Sequence, residues 1–245
     1  MSAERVLVVS DAHLGGVPDA VDAAFHAFLE EVPQAGDHLL INGDLFEFWF
    51  EYGSVIPRRA FPTLARLAAV RRRGARLTMI GGNHDRWTRG FWESELGAAF
   101  YPRDVVLELC GWHALVAHGD GIAEQHLGAR ALHAVTRHPL TAGVFRWLHP
   151  DLGHGLVERL SGMLGSSTRD PQVIARAAAA QADWASTLLR ARGDLDLVVL
   201  GHTHRPTVVA VAERRWYLNP GAWMDGFRYA VITNRGPELT VYLPK

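Results

Sequence analysis

The sequence predicts an α/β fold with a helical insertion, and three features of its pattern support this. Short apolar runs typical of buried strands alternate with helical segments over residues 5–80. Residues 121–193 contain no strand-like run, and short strand-like runs return after residue 206. Because a βαβαβ order implies parallel strands with right-handed crossovers, we expect ligand-binding loops at the carboxyl ends of these strands.

The first part of the chain supplies strand-like runs at residues 5–10, 38–42 and 76–80. A helix is expected to begin near Asp19, a good N-cap residue, and to end at about residue 32. A second helix is expected over residues 58–73, with Gly74 in the position that commonly ends a helix. A further strand-like run, at residues 113–117, precedes the insertion.

Residues 121–193 are expected to form a helical cap inserted between two strands of a single domain that covers residues 1–245. Its clearest element is an alanine-rich helix from Pro171 to about residue 192, preceded by Asp170 as N-cap and followed by Gly193. After it, runs with turn residues between them predict antiparallel strands that complete a second sheet. They lie at residues 207–211, 215–218, 228–232 and 238–242.

Composition excludes several classes of protein. The formal net charge is -1, so no basic field suggests binding to nucleic acid. The single cysteine, Cys110, lies in a strand-like run and cannot form an intrachain disulfide, which fits a reducing compartment. Neither a signal-peptide core nor an apolar run of about 18 residues is present. We therefore expect a cytoplasmic protein that is either soluble or peripheral to a membrane.

Five apolar runs end in side chains that bind divalent metals. Side chains at neighbouring strand ends converge even when they are distant in sequence, and mixed carboxylate, imidazole and amide ligands suit hard or borderline cations. Each motif alone could be an ordinary polar turn, but the presence of all five favours a two-metal centre. The predicted ligands are Asp11, His13, Asp44, Asn83, His118, His202 and His204.

Two ions about 3.5–4 Å apart need a negative bridge, and the Asp44 carboxylate can offer one oxygen to each. Asp11, His13 and His204 would complete one site, and Asn83, His118 and His202 would complete the other. A water between the ions would lose a proton readily and attack phosphorus as hydroxide.

His84 and Asp85 follow the predicted ligand Asn83 and are expected to be catalytic. His84 would stabilise phosphate charge or protonate the departing oxygen, and Asp85 would orient the imidazole ring and favour its charged form. The alternative is that His84 only caps the next helix.

The order of these motifs resembles the calcineurin-like metallophosphoesterase superfamily. The shared pattern is Asp-x-His, Gly-Asp, Gly-Asn-His-Asp, His and Gly-His-x-His, which spans residues 6–206 here. The resemblance implies a four-layered α/β/β/α sandwich of two mixed sheets and a centre of two divalent ions, with manganese most expected and iron or zinc as alternatives.

A narrower resemblance is to UDP-2,3-diacylglucosamine hydrolases, and it rests on the segments at residues 43–49, 83–87, 118–120 and 201–206. It implies hydrolysis of the pyrophosphate of an acylated nucleotide sugar in lipid A biosynthesis, giving UMP and 2,3-diacylglucosamine 1-phosphate. The best-known branch of that family has arginine where this chain has His84. The alternatives are a phosphoesterase for a cyclic nucleotide or a phosphoprotein, and a binding scaffold without activity.

The cap sequence interleaves apolar residues with arginines around residues 141–164. With the resemblance, this pattern favours a chamber for acyl chains with arginines near phosphates or an anionic membrane surface. An ordinary amphipathic layer over the core is the alternative. The residues expected to bind substrate are Asn83, His84, Arg137, Arg146, Trp147 and His202.

Overall fold

The computed structural model describes residues 5–122, 139–153, 155 and 171–244. The strands within this part of the chain are β1 (Val6–Val9), β2 (His38–Asn42), β3 (Arg76–Ile80), β4 (Ala99–Tyr101), β5 (Val105–Leu109), β6 (Trp112–Val116), β7 (Leu197–Val199), β8 (Thr207–Ala212), β9 (Arg215–Asn219), β10 (Arg228–Thr233) and β11 (Gly236–Val241). The helices are α1 (Asp19–Glu31), α2 (Phe61–Arg72), α3 (Phe91–Leu96), α4 (Pro139–Phe145) and α5 (Pro171–Ala191), with 3₁₀ turns at Arg58–Ala60 and Trp223–Asp225.

The first sheet has six strands in the order β11-β10-β1-β2-β3-β4. Its strands β1, β2, β3 and β4 pair in parallel, which confirms the parallel βαβαβ arrangement expected from the sequence. Strand β10 pairs antiparallel with β1 on the other side, with Val8 opposite Ala230. Strand β1 is therefore central and is buried on both faces.

The second sheet has five strands in the order β5-β6-β7-β9-β8. The four strands after residue 206 pair antiparallel as expected, β8 with β9 and β10 with β11, but the expectation that all four complete this sheet is wrong. Only β8 and β9 join it, and β9 pairs in parallel with β7. Strands β10 and β11 return to the first sheet, because Ala230 and Ile232 fill the apolar layer beside β1.

Three apolar layers confirm the four-layered α/β/β/α sandwich. Helices α1 and α2 pack Phe28 and Leu67 against the outer face of the first sheet. Between the sheets, Val8 of β1 lies in one cluster with Val116 of β6. Helix α5 packs Leu189 against the outer face of the second sheet. Alternation along the strands aims successive side chains into different layers, which gives each sheet two apolar faces.

The helix ends lie close to those predicted. Pro18 takes the N-cap position of α1 and makes no side-chain cap hydrogen bond, so Asp19 is the first helical residue rather than the cap. Gly74 has a φ of +97° after α2, as expected for a glycine that ends a helix. Helix α5 has the predicted extent, while Asp170 lies outside the described residues.

Within the described part of residues 121–193 the regular structure is helical, namely α4 and α5. Among the described residues, no helix combines the length and the apolar character needed to cross a membrane.

Candidate metal centre

The loops that follow β1, β2, β3, β6 and β7 meet at one edge of the sandwich. Backbone hydrogen bonds join them in pairs. The N–H of Asp11 donates to the carbonyl of Gly43 at 3.1 Å, and the N–H of Gly201 donates to the carbonyl of His118 at 2.8 Å. The convergence of remote motifs that the sequence predicted therefore arises from strand order.

One group of possible metal ligands comprises Asp11, His13 and His204, whose ligand atoms all lie within 4.8 Å of one another. The Nε2 atom of His204 is 3.4 Å from Oδ1 of Asp11. Asp11 is fully buried and His13 is nearly so.

A second group comprises Asp44, His118 and His202, again within 4.8 Å. The Nε2 atom of His118 is 3.1 Å from Oδ2 of Asp44, and Nε2 of His13 is 3.9 Å from the same oxygen. Asp44 also belongs to a third group, with His13 and His84. The Asp44 carboxylate thus lies between the two predicted sites, in the position expected of a bridge.

Several ligand atoms at this edge are buried without a hydrogen-bond partner. They are Oδ1 of Asp11, Oδ1 of Asn83 and Nε2 of His118. Buried polar atoms in proteins are almost always satisfied by a hydrogen bond, a water or an ion. Since these three are oxygen and imidazole ligands beside carboxylates, the residues present fit divalent metal ions.

The imidazole rings are held from behind through their Nδ1 atoms. Nδ1 of His13 is 3.0 Å from Oε2 of Glu47, and Nδ1 of His204 is 3.2 Å from Oδ2 of Asp225. Nδ1 of His118 is 2.9 Å from the carbonyl oxygen of Asn42. Partners of this kind fix the tautomer and leave Nε2 to face the ion.

Sequence reasoning did not assign these supporting residues. Glu47 and Asn42 lie in or directly beside the motif of the second strand, so their proximity was a usable signal. Asp225 had no such signal. The 3₁₀ turn that carries it is held by Trp223, which is buried against Phe25 and Phe28 of α1 at ring-centroid distances of 5.1 and 5.0 Å.

Five of the seven predicted ligands have positive φ angles, a backbone conformation that is uncommon for residues with a side chain. The left-handed region costs about 1–2 kcal/mol for each such residue, and strain of this kind concentrates at functional sites. The φ values are +52° for Asp11, +48° for His13, +52° for Asp44, +67° for His202 and +56° for His204.

The close approach of the loops requires glycine at position 82. A Cβ atom there would overlap the Asp44 carboxylate and would lie 2.6 Å from the backbone nitrogen of Asp44. The glycine before Asn83 therefore allows the loops after β2 and β3 to bring Asn83 and Asp44 together.

Asp85 does not orient His84, and this part of the sequence prediction is wrong. Its buried carboxylate accepts hydrogen bonds from the backbone N–H groups of Gly82 at 2.8 Å, Leu45 at 2.7 Å and Asp44 at 3.3 Å. It points between the two loops because backbone donors there need an acceptor. Burial, together with the charge of Asp44, raises the pKa of Asp85 to about 6.

His84 is half-buried, and its ring is oriented by Glu47 instead. Its Nδ1 atom is 2.5 Å from the carbonyl oxygen of Glu47, and its backbone N–H donates to Oδ1 of Asp44 at 2.9 Å. His84 therefore lies beside the predicted bridging carboxylate, with its Nε2 atom available to a ligand.

Opposite charges at the centre outweigh the cost of burial. Burial disfavours ionisation of Asp44, yet the charges of His118 and His84 hold its pKa well below the usual value. Burial and the charge of His118 lower the pKa of His202 to about 4. Burial likewise opposes charge on His204, but its close approach to the carboxylates of Asp11 and Asp225 raises its pKa to about 10. The carboxylates are thus anionic at neutral pH and attract cations.

Two of the predicted substrate-binding residues of the cap, Arg146 and Trp147, lie within the described part of the chain. Trp147 exposes 92% of its surface. The guanidinium of Arg146 lies over the ring of Phe50, 5.7 Å from its centroid, beside Phe145 of α4. Arg146 therefore adjoins the aromatic segment after β2. Arg137 lies outside the described residues.

The sequence model of the calcineurin-like phosphoesterases matches residues 4–206. The chain belongs to this family. As a member it is a metal-dependent hydrolase of phosphoric esters or anhydrides, which confirms the predicted fold and enzyme class.

Several curated relatives of this calcineurin-like phosphoesterase carry the name UDP-2,3-diacylglucosamine hydrolase. The protein from Porphyromonas gingivalis is 26% identical, with 93% of each chain covered. That from Aeromonas salmonicida is 32% identical, with 82% of this chain and 78% of the relative covered. That from Pseudomonas paraeruginosa is 30% identical, with 82% of each covered.

Proposed function

We propose that this phosphoesterase hydrolyses the pyrophosphate bond of UDP-2,3-diacylglucosamine and releases UMP and 2,3-diacylglucosamine 1-phosphate. The observation that carries the hydrolytic part is the convergence of two ligand groups on the shared carboxylate of Asp44. The relatives named for this substrate support the specific part.

In this proposal, Asp11, His13 and His204 hold one divalent ion. A separate set, Asn83, His118 and His202, holds the other, and Asp44 serves both. Two such ions supply charge neutralisation for the phosphate oxygens and activation of water. We propose Mn²⁺ as the metal, with iron and zinc as alternatives, because mixed oxygen and nitrogen ligands accept all three.

The protein's own residues would then hold the histidine rings in position and supply a proton to the departing oxygen. Glu47 holds the rings of both His13 and His84, through its carboxylate and its carbonyl oxygen respectively. As an imidazolium, with Nδ1 donating to that carbonyl, His84 can donate its Nε2 proton to a phosphate or departing oxygen. We propose that Asn83, His84 and His202 also contact the substrate phosphates.

The acylated end of the substrate would contact the cap. Apolar side chains on and just after α4 expose more than two-thirds of their surface, a pattern typical of a binding surface. The most exposed are Leu140, Val144, Trp147 and Leu152. We propose that this surface receives acyl chains at the cytoplasmic face of the inner membrane, with Arg146 and Arg137 near anionic groups.

The test is a direct assay of purified, Mn²⁺-loaded protein. UDP-2,3-diacylglucosamine, bis-p-nitrophenyl phosphate and a cyclic nucleotide are compared at equal concentration, and UMP release is measured by chromatography. We expect turnover of the acylated substrate to exceed that of the others by orders of magnitude. The Asp44→Asn variant controls for contaminating hydrolases.

A second candidate function is hydrolysis of another phosphodiester or phosphomonoester. It is favoured by His84, since the superfamily generally has histidine there and the narrower family's best-known branch has arginine. Efficient turnover of the cyclic nucleotide or of a phosphoprotein, without UMP release from the acylated substrate, would replace the proposed substrate with this one.

A further inference from the structure

Helix α5 presents three buried residues to the second sheet, at positions 181, 185 and 189. Two of them, Ala185 and Leu189, are apolar and pack in the core. The third is Gln181, which is 1% exposed. Burying an amide costs free energy unless its hydrogen bonds are made, so this glutamine calls for an explanation.

The amide group of Gln181 joins helix α5 to two loops of the metal centre. Its Nε2 atom donates to the carbonyl oxygen of Gly119 at 3.3 Å, directly after His118. Its Oε1 atom accepts from the hydroxyl of Thr203 at 3.2 Å, between His202 and His204. One side chain therefore connects the two histidine loops that the second sheet contributes.

The rest of the network fixes the direction of the amide. The hydroxyl of Tyr217 also donates to Oε1 of Gln181, at 3.4 Å. The Nδ2 atom of Asn219 donates to the Thr203 hydroxyl at 3.1 Å and to the Gly201 carbonyl at 3.0 Å. With two hydroxyl donors on one side and a carbonyl acceptor on the other, only one orientation of the amide satisfies every group.

We infer that Gln181 is a positioning residue that sets the separation of His118 and His202 at the second metal site. This inference rests on the metal assignment proposed above. The rings of these two histidines are 5.2 Å apart, and both lie with Asp44 in one ligand group. Helix α5 ends the inserted segment, so the same contact links the position of that segment to the geometry of the metal ligands.

The test is Gln181→Met, which keeps an unbranched side chain of similar length and removes the hydrogen bonds. Metal-free protein is titrated with MnCl₂ by calorimetry, at a temperature where every variant is fully folded by circular dichroism. We expect the wild type to bind two ions and the variant to bind one of them about 10-fold or more weakly. The electron paramagnetic resonance signal of the coupled Mn²⁺ pair should be lost in parallel.

Leu189→Ala is the matched control, because it removes core packing from the same face of α5 without removing a side-chain hydrogen bond to either loop. We expect it to lower the melting temperature and to leave both Mn²⁺ affinities unchanged. In a His118→Ala background, Gln181→Met should have no further effect on the remaining ion, since the site it positions is already lost.

Thr203→Val, which removes only the hydroxyl, provides a second test if Gln181→Met does not fold. We expect the same selective weakening of one Mn²⁺. Wild-type affinities in the folded variants, or equal weakening by Leu189→Ala, would overturn the positioning role and leave the proposed substrate intact. A wild type that binds no Mn²⁺ pair would overturn the metal assignment and this inference together.

Discussion

The rings of His13 and His84 meet edge to face, with 4.7 Å between their centroids and an angle of 86° between their planes. Both are held by one residue, since the carboxylate of Glu47 contacts Nδ1 of His13 and its carbonyl contacts Nδ1 of His84. A metal-ligating ring and a proposed proton donor therefore share a single support, and their relative position depends on the conformation of Glu47.

The Glu47→Gln variant should weaken Mn²⁺ binding at the site of Asp11, His13 and His204 by about 10- to 100-fold, because the ligand ring loses a negatively charged partner. Calorimetric titration measures this directly. Glu30→Gln is the control, since Glu30 is an exposed acid paired with Arg66. Equal losses in both variants would point to net charge rather than to the contact with His13.

The Asp44→Ala variant should lose both metal ions, whereas Asp11→Ala should lose one. The reason is that Asp44 lies in ligand groups on both sides and Asp11 in one. Metal content after dialysis, measured by plasma mass spectrometry, distinguishes the two outcomes. Retention of one full equivalent by Asp44→Ala would contradict the shared-carboxylate assignment.

The His84→Ala variant should keep its metal content and lose about 10²- to 10⁴-fold in kcat, the usual range for a positioned acid or base. Steady-state kinetics and metal analysis on the same sample check both halves of this expectation. Loss of metal together with activity would make His84 a ligand, as its group with His13 and Asp44 also permits.

The Asp85→Asn variant should lower the free energy of unfolding by about 1–3 kcal/mol, because the new NH₂ group would face backbone donors that the carboxylate now satisfies. Chemical denaturation of the metal-free protein measures this change. Asp151→Asn, at a side chain that is 93% exposed, should have no measurable effect. An unchanged free energy of unfolding in Asp85→Asn would show that the two loops do not depend on the hydrogen bonds of Asp85.

His38 should make the protein less stable in acid. Burial lowers the pKa of His38 to about 4, from an ordinary value of 6.5, while its ring shares a hydrogen bond of 2.8 Å with Thr78. Above pH 6.5 the ring is neutral in both states. As the pH falls from 6.5 to about 4, only the unfolded chain gains the proton, which lowers the free energy of unfolding by about 3 kcal/mol.

The measurement for this expectation is denaturant unfolding at pH 7 and pH 4. His38→Gln, which does not titrate, should lose less stability over that interval than the wild type. His113→Gln removes a histidine at an exposed position and should behave like the wild type. An identical pH dependence in all three proteins would exclude His38 as the cause.

The sequence was sufficient to predict the parallel strands and the convergence of the proposed ligand motifs at one edge of the sandwich, because both depend on local pattern. Asp11 and His13 follow a strand whose residues are all apolar and buried, so two polar residues after it are easy to recognise in the sequence. The four-layered fold was predicted because the same motifs resemble those of a family that has this fold. What the structure adds for these residues is their backbone conformation and their mutual distances.

Other features depended on tertiary contacts that no short pattern contains. The alternation of apolar and polar residues in β10 would suit either sheet. Its pairing with β1 places it in the first sheet. The contact of Asp225 with His204 requires the Trp223 turn to pack against α1. Asp85 was misassigned because nearness in sequence to His84 suggested a contact that the backbone donors of the neighbouring loop prevent.

The pairing of β1 with β10 also makes completion of the first sheet depend on residues that are distant in sequence. Val6 and Ile232 are register partners, so the edge of β1 that faces away from β2 stays unpaired until residues 228–233 are in place. Until then, one edge of the strand that leads to Asp11 has no pairing partner. Pairing between residues this distant in sequence slows folding, so we expect the first sheet to be completed only after residues 228–233 are available.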